Sequence, residues 1–432
     1  MSDTAIRPLD RSQRKSLRVA AIGNALEWFD WTLYGMFSFY LSANLFNNED
    51  PTSAFLNTLL TFAGGFLARP IGGWLFGGLG DRYGRKNALV LTMCLIAAAS
   101  IGIAVLPTYA NVGATASILL LVLRLLQGLA HGGETGVSFT YVAEIAPTER
   151  RGFWSSAVYV SVLCGVIAAT GVAALLTSVL SAEAMMLWGW RVGFALGGIL
   201  GIYALFLRRS AAESEAFEKQ GAAHTGGARP KLTGRQLWII TRNIVMISAV
   251  VNAAYYTWVT FAASNAISQG MDPAGAYRAA LFAQIVCLAW LPVAGWLSDK
   301  LGRRFMVMAF GLGVVVIAFP VSWMVTDAPW TLFVAQLICL FVWGLLAGMF
   351  PALVSEQVPT HARATSVGWI TSTVAAVFGG TAPYLYAWLN ARDLGWVYDV
   401  YLVALGLVAW LGGYLIKETA KKPIEEIGME NH

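Results

Sequence analysis

Twelve stretches of this chain are apolar over lengths that can cross a lipid bilayer: near 18 to 43, 54 to 79, 87 to 107, 113 to 142, 154 to 180, 187 to 207, 240 to 263, 276 to 297, 305 to 325, 330 to 354, 364 to 389 and 398 to 416. A spanning helix needs about 17 to 25 such residues. Apolar residues make up 57% of the chain and charged residues 12%, against roughly 45–50% and about 25% in an ordinary soluble protein. The expected fold is an all-α membrane protein with six spans in each half. The first run follows a polar start carrying Arg7, Arg11, Arg14, Lys15 and Arg18 and lacks a small-residue cleavage site. It is therefore expected to stay as a helix rather than leave as a signal peptide.

The chain also repeats its punctuation. Asp81-Arg82-Tyr83-Gly84-Arg85-Lys86 returns as Asp299-Lys300-Leu301-Gly302-Arg303-Arg304, and Glu144-x-x-Pro147-Thr148-x-x-Arg151 returns as Glu356-x-x-Pro359-Thr360-x-x-Arg363. Two independent marks recurring about half a chain later point to an internal duplication. Between the copies, a charged stretch from Arg208 to Lys219 and a run of small residues up to Pro230 read as a short helix and linker. The expected organisation is an N-terminal segment (1–17), a first bundle (18–207), a linker (208–239), a second bundle (240–416) and a tail (417–432). Six spans is an even number, so both halves enter from one side and form parallel repeats about an axis along the membrane normal. A cavity between them follows.

Basic residues fix the orientation. Arg82, Arg85, Lys86, Arg150, Arg151, the linker, Lys300, Arg303, Arg304, Arg363, Lys417, Lys421 and Lys422 fall on the side of the N-terminus, and the opposite loops hold Arg278 and Arg392. The positive-inside rule places both termini in the cytoplasm. A pI near 9.0 thus reflects topology, and no aromatic-interleaved basic patch suggests a nucleic-acid partner. Cys94, Cys164, Cys287 and Cys339 fall inside spans without C-x-x-C pairing and read as buried thiols. His131, His224, His361 and His432 lack metal-ligand spacing. No Walker A sequence exists, so ATP does not drive the protein directly.

Ionisable residues at membrane depth cost about 2.5 to 3.5 kcal/mol each, so each asks for a reason. All lie in the first half, with Glu27 and Asp30 in span 1, Arg69 in span 2, Arg124, His131 and Glu134 in span 4, and Arg191 at the start of span 6. The second half is expected to offer no charge at depth. Asn24, Glu27, Asp30 and Tyr34 share one helix face, as do Arg124, Gln127, His131 and Glu134. The helical rise makes Glu27 a neighbour of His131 or Glu134, and Asp30 a neighbour of Arg69 or Arg124. Arg191 stands at a span end, where it can snorkel and hold structure. One reading makes the carboxylates proton carriers and the arginines substrate ligands; the other makes the whole set a charge network that holds helices together.

The run Gly77-x-Leu79-x-Asp81-Arg82-x-Gly84-Arg85-Lys86, its echo, and Arg124-x-x-Gln127-Gly128 resemble the signatures of the major facilitator superfamily. A narrower set is similar to the metabolite:proton symporter family: Gly23-Asn24-Ala25-Leu26-Glu27-Trp28-Phe29-Asp30, Arg69-Pro70-Ile71-Gly72-Gly73, Gly132-Gly133-Glu134, Trp188-Gly189-Trp190-Arg191 and Gly379-Gly380-Thr381-Ala382-Pro383. That family includes carriers of 2-oxoglutarate, citrate, shikimate, and proline or betaine. The resemblance implies alternating access in a bacterial inner membrane, with helices 1, 4, 7 and 10 lining the cavity. Gly193, Val358, Ser214 and His131 depart from the usual family pattern and leave the subfamily open.

The chain is accordingly expected to import a small organic acid with protons, as a monomer, without a cofactor or metal. A proline- or betaine-like solute is the alternative, since Trp28, Trp31, Tyr34, Tyr255 and Tyr256 can cage a quaternary ammonium. An intramembrane enzyme would need a catalytic constellation that is absent; a channel would not accumulate solute. Proton coupling is expected at Asp30, Glu134, Glu27 and His131. Substrate binding is expected at Arg124, Asn24, Tyr34, Gln127, Arg69, Tyr255, Tyr256 and Trp258. The repeated Asp81, Arg82, Arg85, Glu144, Arg151, Asp299, Arg303, Glu356 and Arg363 are expected to latch the cytoplasmic side, with an Asp capping a helix of the opposite half; a simple basic tether is the competing reading.

Overall fold

The computed structural model describes residues 11–83, 85–132, 135–210, 232–424 and 427. The N-terminal ten residues, Glu134 and most of the expected linker lie outside that set. Among the described residues there are no strands; each helix satisfies its peptide groups within its own segment, as hydrocarbon requires. Span 1 runs Arg11–Met36 and continues as Ser38–Leu45; span 2 is Pro51–Tyr83 and span 3 Arg85–Ala104. Span 4 is Ala114–His131 followed by Thr135–Ile145, span 5 Arg151–Val179 and span 6 Trp190–Ser210. Span 7 is Gly234–Ala254, a π-turn at Tyr255–Thr260, and Ala262–Ser268. Span 8 is Pro273–Leu301, span 9 Arg303–Met324, and span 10 Pro329–Ala347 with Phe350–Ser355. Span 11 is Arg363–Val374, a π-turn at Ala375–Gly380, and Ala382–Asn390; span 12 is Gly395–Leu415.

Nine of these helices are individually long and apolar enough to cross a membrane among the described residues. Spans 1, 3 and 11 are the helices outside that set, and span 3 holds the shorter apolar helix Val90–Ala104. Large apolar side chains point outward around the barrel of helices, Trp74 being 80% exposed; lipid rather than water is the solvent for such a surface.

The halves meet through spans 5 and 8, spans 2 and 11, and spans 1 and 7. Gly152 permits the first contact, since a Cβ there would lie 2.6 Å from the Gly295 carbonyl oxygen. In the first half, Gly128 lets span 4 touch span 2: a Cβ would sit 1.9 Å from the Gly65 carbonyl oxygen. This backbone approach brings Arg69 and Arg124 to one place.

Candidate functional site

Trp31 of span 1 is buried, and two guanidinium groups face it. The Arg69 Cζ lies 4.0 Å from its ring centroid and the Arg124 Cζ 3.7 Å. Arg69 also packs on Phe66 at 4.1 Å, and Arg124 on Tyr34 at 4.4 Å. Aromatic faces attract cations, so the rings stabilise both charges without consuming their N–H donors. Tyr256 of span 7 packs edge-on against the same Phe66, with ring centroids 4.9 Å apart. Even so, Nε and Nη2 of Arg69 and Nε and Nη2 of Arg124 are buried without a partner. Arginine has donors and no acceptor, so these atoms ask for an anion or for water.

Asp30 stands one step away. Gln127 separates it from Arg124: the Arg124 Nη1 donates to Gln127 Oε1 at 2.9 Å, and Gln127 Nε2 donates to Asp30 Oδ2 at 2.7 Å. Ser100 of span 3 also donates to Asp30. Glu27 pairs with His131, Oε1 to Nδ1 at 2.5 Å, as the spacing along spans 1 and 4 suggests. Arg69 and Arg124 therefore make no ion pair with a carboxylate among the described residues.

The other expected ligands distribute unevenly. Tyr34 and Tyr256 line the arginine cluster, although the Tyr34 hydroxyl donates to the Thr58 carbonyl at 2.9 Å. Asn24 donates to Ser161 of span 5 at 2.7 Å. Tyr255 packs between Trp28 and Trp343, with ring centroids 5.6 and 5.5 Å away. Trp258 lines a separate cavity within the second half. Arg191 donates to the carbonyls of Ala104 and Leu106 at 2.9 and 2.6 Å, tying off the end of span 3. The expectation of no charge at depth in the second half needs correction: Asp399, in the first turns of span 12, is 3% exposed.

At the basic end the two copies of the repeated motif satisfy each other. Arg151 Nη1 meets Glu356 Oε1 at 2.9 Å, and Arg363 Nη1 meets Glu144 Oε1 at 2.9 Å, so each copy supplies its Arg to the other copy's Glu. Glu356 also takes Arg303 at 3.3 Å and Thr419 at 2.6 Å. Asp299 holds Arg303 at 2.9 Å and accepts from the backbone N–H groups of Gly152 and Phe153 at 2.8 and 2.9 Å. That is an acidic cap on span 5 delivered by the opposite half, the placement that a helix dipole favours. The side chains of Asp81, Arg82 and Arg85 lie outside the described residues.

The segment after span 12 joins the same cluster, which the reading of 417–432 as a plain tail missed. Arg151 Nη2 donates to the Lys422 carbonyl at 3.1 Å, and Arg363 Nη2 to that of Ile424 at 3.0 Å. Buried Ile424 and Ile427 anchor it; two isoleucines three residues apart in a mostly polar tail were the available signal. At the other end, the Ser264 hydroxyl reaches the carbonyls of Gly35 and Met36 at 2.7 and 2.8 Å, and the Tyr277 hydroxyl donates to that of Met36. Contacts between the halves thus close the central cluster at both ends.

The family profile described as the Major Facilitator Superfamily matches residues 20–383. The chain is 33% identical over 408 residues to the alpha-ketoglutarate permease of Escherichia coli (strain K12), covering 93% of each protein. It is 31% identical over 436 residues to the proline/betaine transporter of Salmonella typhimurium, covering 96% of this chain and 86% of that one. Among solved structures, the proton:xylose symporter XylE bound to 6-bromo-6-deoxy-D-glucose superposes with a TM-score of 0.76 at 18% identity, over 97% of this chain and 99% of that one. At that identity the likeness speaks for the fold. The chain belongs to the major facilitator superfamily and, within it, groups with the carriers of the metabolite:proton symporter family.

Proposed function

We propose that the protein imports a small organic acid together with protons across a bacterial inner membrane, with the basic end facing the cytoplasm. The observation that carries the substrate class is the pair of buried guanidinium groups on Trp31 with four unpartnered nitrogen atoms. A carboxylate is the natural complement, since it accepts two parallel N–H bonds from one guanidinium. Two such groups suit a dicarboxylate or a keto acid. The name of the alpha-ketoglutarate permease relative supports the same class.

Coupling follows from the Arg124–Gln127–Asp30 chain. A substrate carboxylate that engages Arg124 draws it from Gln127 and weakens the positive field reaching Asp30, so proton and substrate bind best together. Glu27 and His131 offer a neighbouring relay, and Glu134 is retained as a candidate from sequence. The reciprocal ion pairs, with Asp299 and the segment after span 12, form the cytoplasmic gate; the sequence repeat assigns Asp81, Arg82 and Arg85 to it as well.

One observation favours a second reading. Trp28, Tyr255 and Trp343 form an aromatic cluster over which no Arg or Lys lies among the described residues, so a zwitterion could place its ammonium there and its carboxylate on an arginine. Uptake into proteoliposomes decides between them. Dicarboxylates, tricarboxylates, aromatic acids, proline and betaine are offered with and without an inward proton gradient. Gradient-driven accumulation of an acid, lost in Arg124→Gln, supports the proposal. Accumulation of betaine or proline with no acid transported overturns its substrate class.

A further inference from the structure

We propose that the second half holds a binding site for a small monovalent cation, in the cavity enclosed by spans 7, 9, 10, 11 and 12. The cavity has a volume of ≈ 90 Å³, well above the roughly 10–15 Å³ that a single water needs. Its polar lining includes Thr257, Asn265, Ser322, Gln336, Tyr398 and Asp399, and Asp399 is its sole charged lining residue among the described residues.

Acceptor oxygens there are unfilled. Asp399 is 3% exposed and its Oδ2 has no partner. Gln336 is 2% exposed. Its Nε2 donates to the Trp258 carbonyl at 2.6 Å, which fixes the amide orientation and leaves Oε1 unpartnered. The Thr257 hydroxyl donates to the Ala253 carbonyl at 2.8 Å, so Tyr398 donates to Thr257 across 2.5 Å and the Tyr398 oxygen keeps its acceptor capacity for a further ligand. Unpaired buried acceptors are costly. A proton on Asp399 would satisfy that carboxylate and leave the Gln336 oxygen as it is. A cation with one or two waters satisfies both and balances the charge. One carboxylate matches a single positive charge, so a monovalent ion fits better than a divalent one.

Location gives the site a purpose. Exposed Gln269 lies on the lining at the end opposite the gate cluster, so an ion can enter from that side while the central cluster is closed. Gln336 and Gln284 donate to the carbonyls of Trp258 and Val259, freed by the π-turn of span 7. Unwound helix carbonyls of this kind serve ions in other transporters. The same turn carries Tyr255 and Tyr256, which face Trp28 and Phe66. Cation occupancy would thereby set the position of the wall of the central site.

The inference does not depend on which substrate is carried. Its test uses the full-length protein in nanodiscs without substrate, at fixed pH and ionic strength. The thermal unfolding midpoint is followed as choline chloride is replaced by sodium or potassium chloride. A saturable rise is expected with at least one of the two salts. Asp399→Asn should abolish that rise, and Asn265→Asp should lower the half-saturating concentration severalfold. Asn265 suits the second variant because its Nδ2 makes no hydrogen bond, so the change adds charge without removing a contact. Absence of a saturable effect, its persistence in Asp399→Asn, or an unchanged half-saturation in Asn265→Asp would each overturn the proposal.

Discussion

The two copies of the Glu–Pro–Thr–Arg motif are alike in sequence and unlike in environment, and mutation should expose the difference. Glu356 and its partner Arg151 are 0% and 1% exposed, whereas Glu144 is 43% exposed. Glu356→Gln leaves Arg151 and Arg303 buried against a neutral side chain. Breaking a buried pair in this way costs about 3–5 kcal/mol. An exposed pair is worth about 0–1 kcal/mol, and in Glu144→Gln the Arg363 side chain keeps the carbonyls of Ser355, Val358 and Ile424. If the pairs hold the gate shut, Glu356→Gln shifts the gate equilibrium by about 100-fold or more and Glu144→Gln by less than about 10-fold, at 1.4 kcal/mol per decade.

The assay is the labelling rate of a cysteine at Ser155, which is 0% exposed beside the gate, in a variant without the four native cysteines. An impermeant thiol reagent is added from the basic side. Glu356→Gln should label far faster than the parent and Glu144→Gln only slightly faster. Equal rates in the two variants would refute the assignment of gate strength to burial.

Other consequences are smaller or more local. Asp299→Ala removes both the cap on two span 5 amides and a buried carboxylate partner of Arg303, and should weaken closure by about 3–5 kcal/mol, read as Ser155→Cys labelling far faster than in the parent. Gly197→Ala places a methyl group 2.9 Å from Asp30 Oδ1; proton-driven uptake should fall severalfold while folding, followed by size-exclusion chromatography, persists. Gly128→Ala meets the Gly65 carbonyl oxygen at 1.9 Å and should lower the unfolding midpoint by several degrees, since spans 2 and 4 must separate.

Much of the fold was legible because lipid imposes a coarse code: apolar runs of spanning length, basic loops on one side, and a duplicated punctuation. The charge stripes were legible too: 3.6 residues per turn puts Glu27 and Asp30 on one face of span 1 and Arg124 and His131 on one face of span 4, and the helical rise sets Glu27 level with His131 or Glu134. An Asp capping a helix of the other half was expected from the dipole, and Asp299 does this to span 5. What sequence could not supply was the pairing. Whether Arg151 meets Glu144 or Glu356 depends on how two halves pack, and Gln127 lies between Arg124 and Asp30 because of rotamers at a helix crossing. Asp399 escaped notice because it sits at the start of span 12, where a carboxylate ordinarily reaches water; burial by spans 9 to 11 cannot be read from its own helix.

The central claim is that Asp30 carries the coupled proton while the arginines hold the substrate, and one comparison tests it. Asp30→Asn protein in proteoliposomes is assayed for accumulation driven by an inward proton gradient and, separately, for exchange of labelled against unlabelled substrate with no gradient. The account predicts that accumulation is lost and exchange retained, because the neutral side chain still accepts from Gln127 and leaves Arg69 and Arg124 free to bind. Accumulation at the parent level in Asp30→Asn would contradict it.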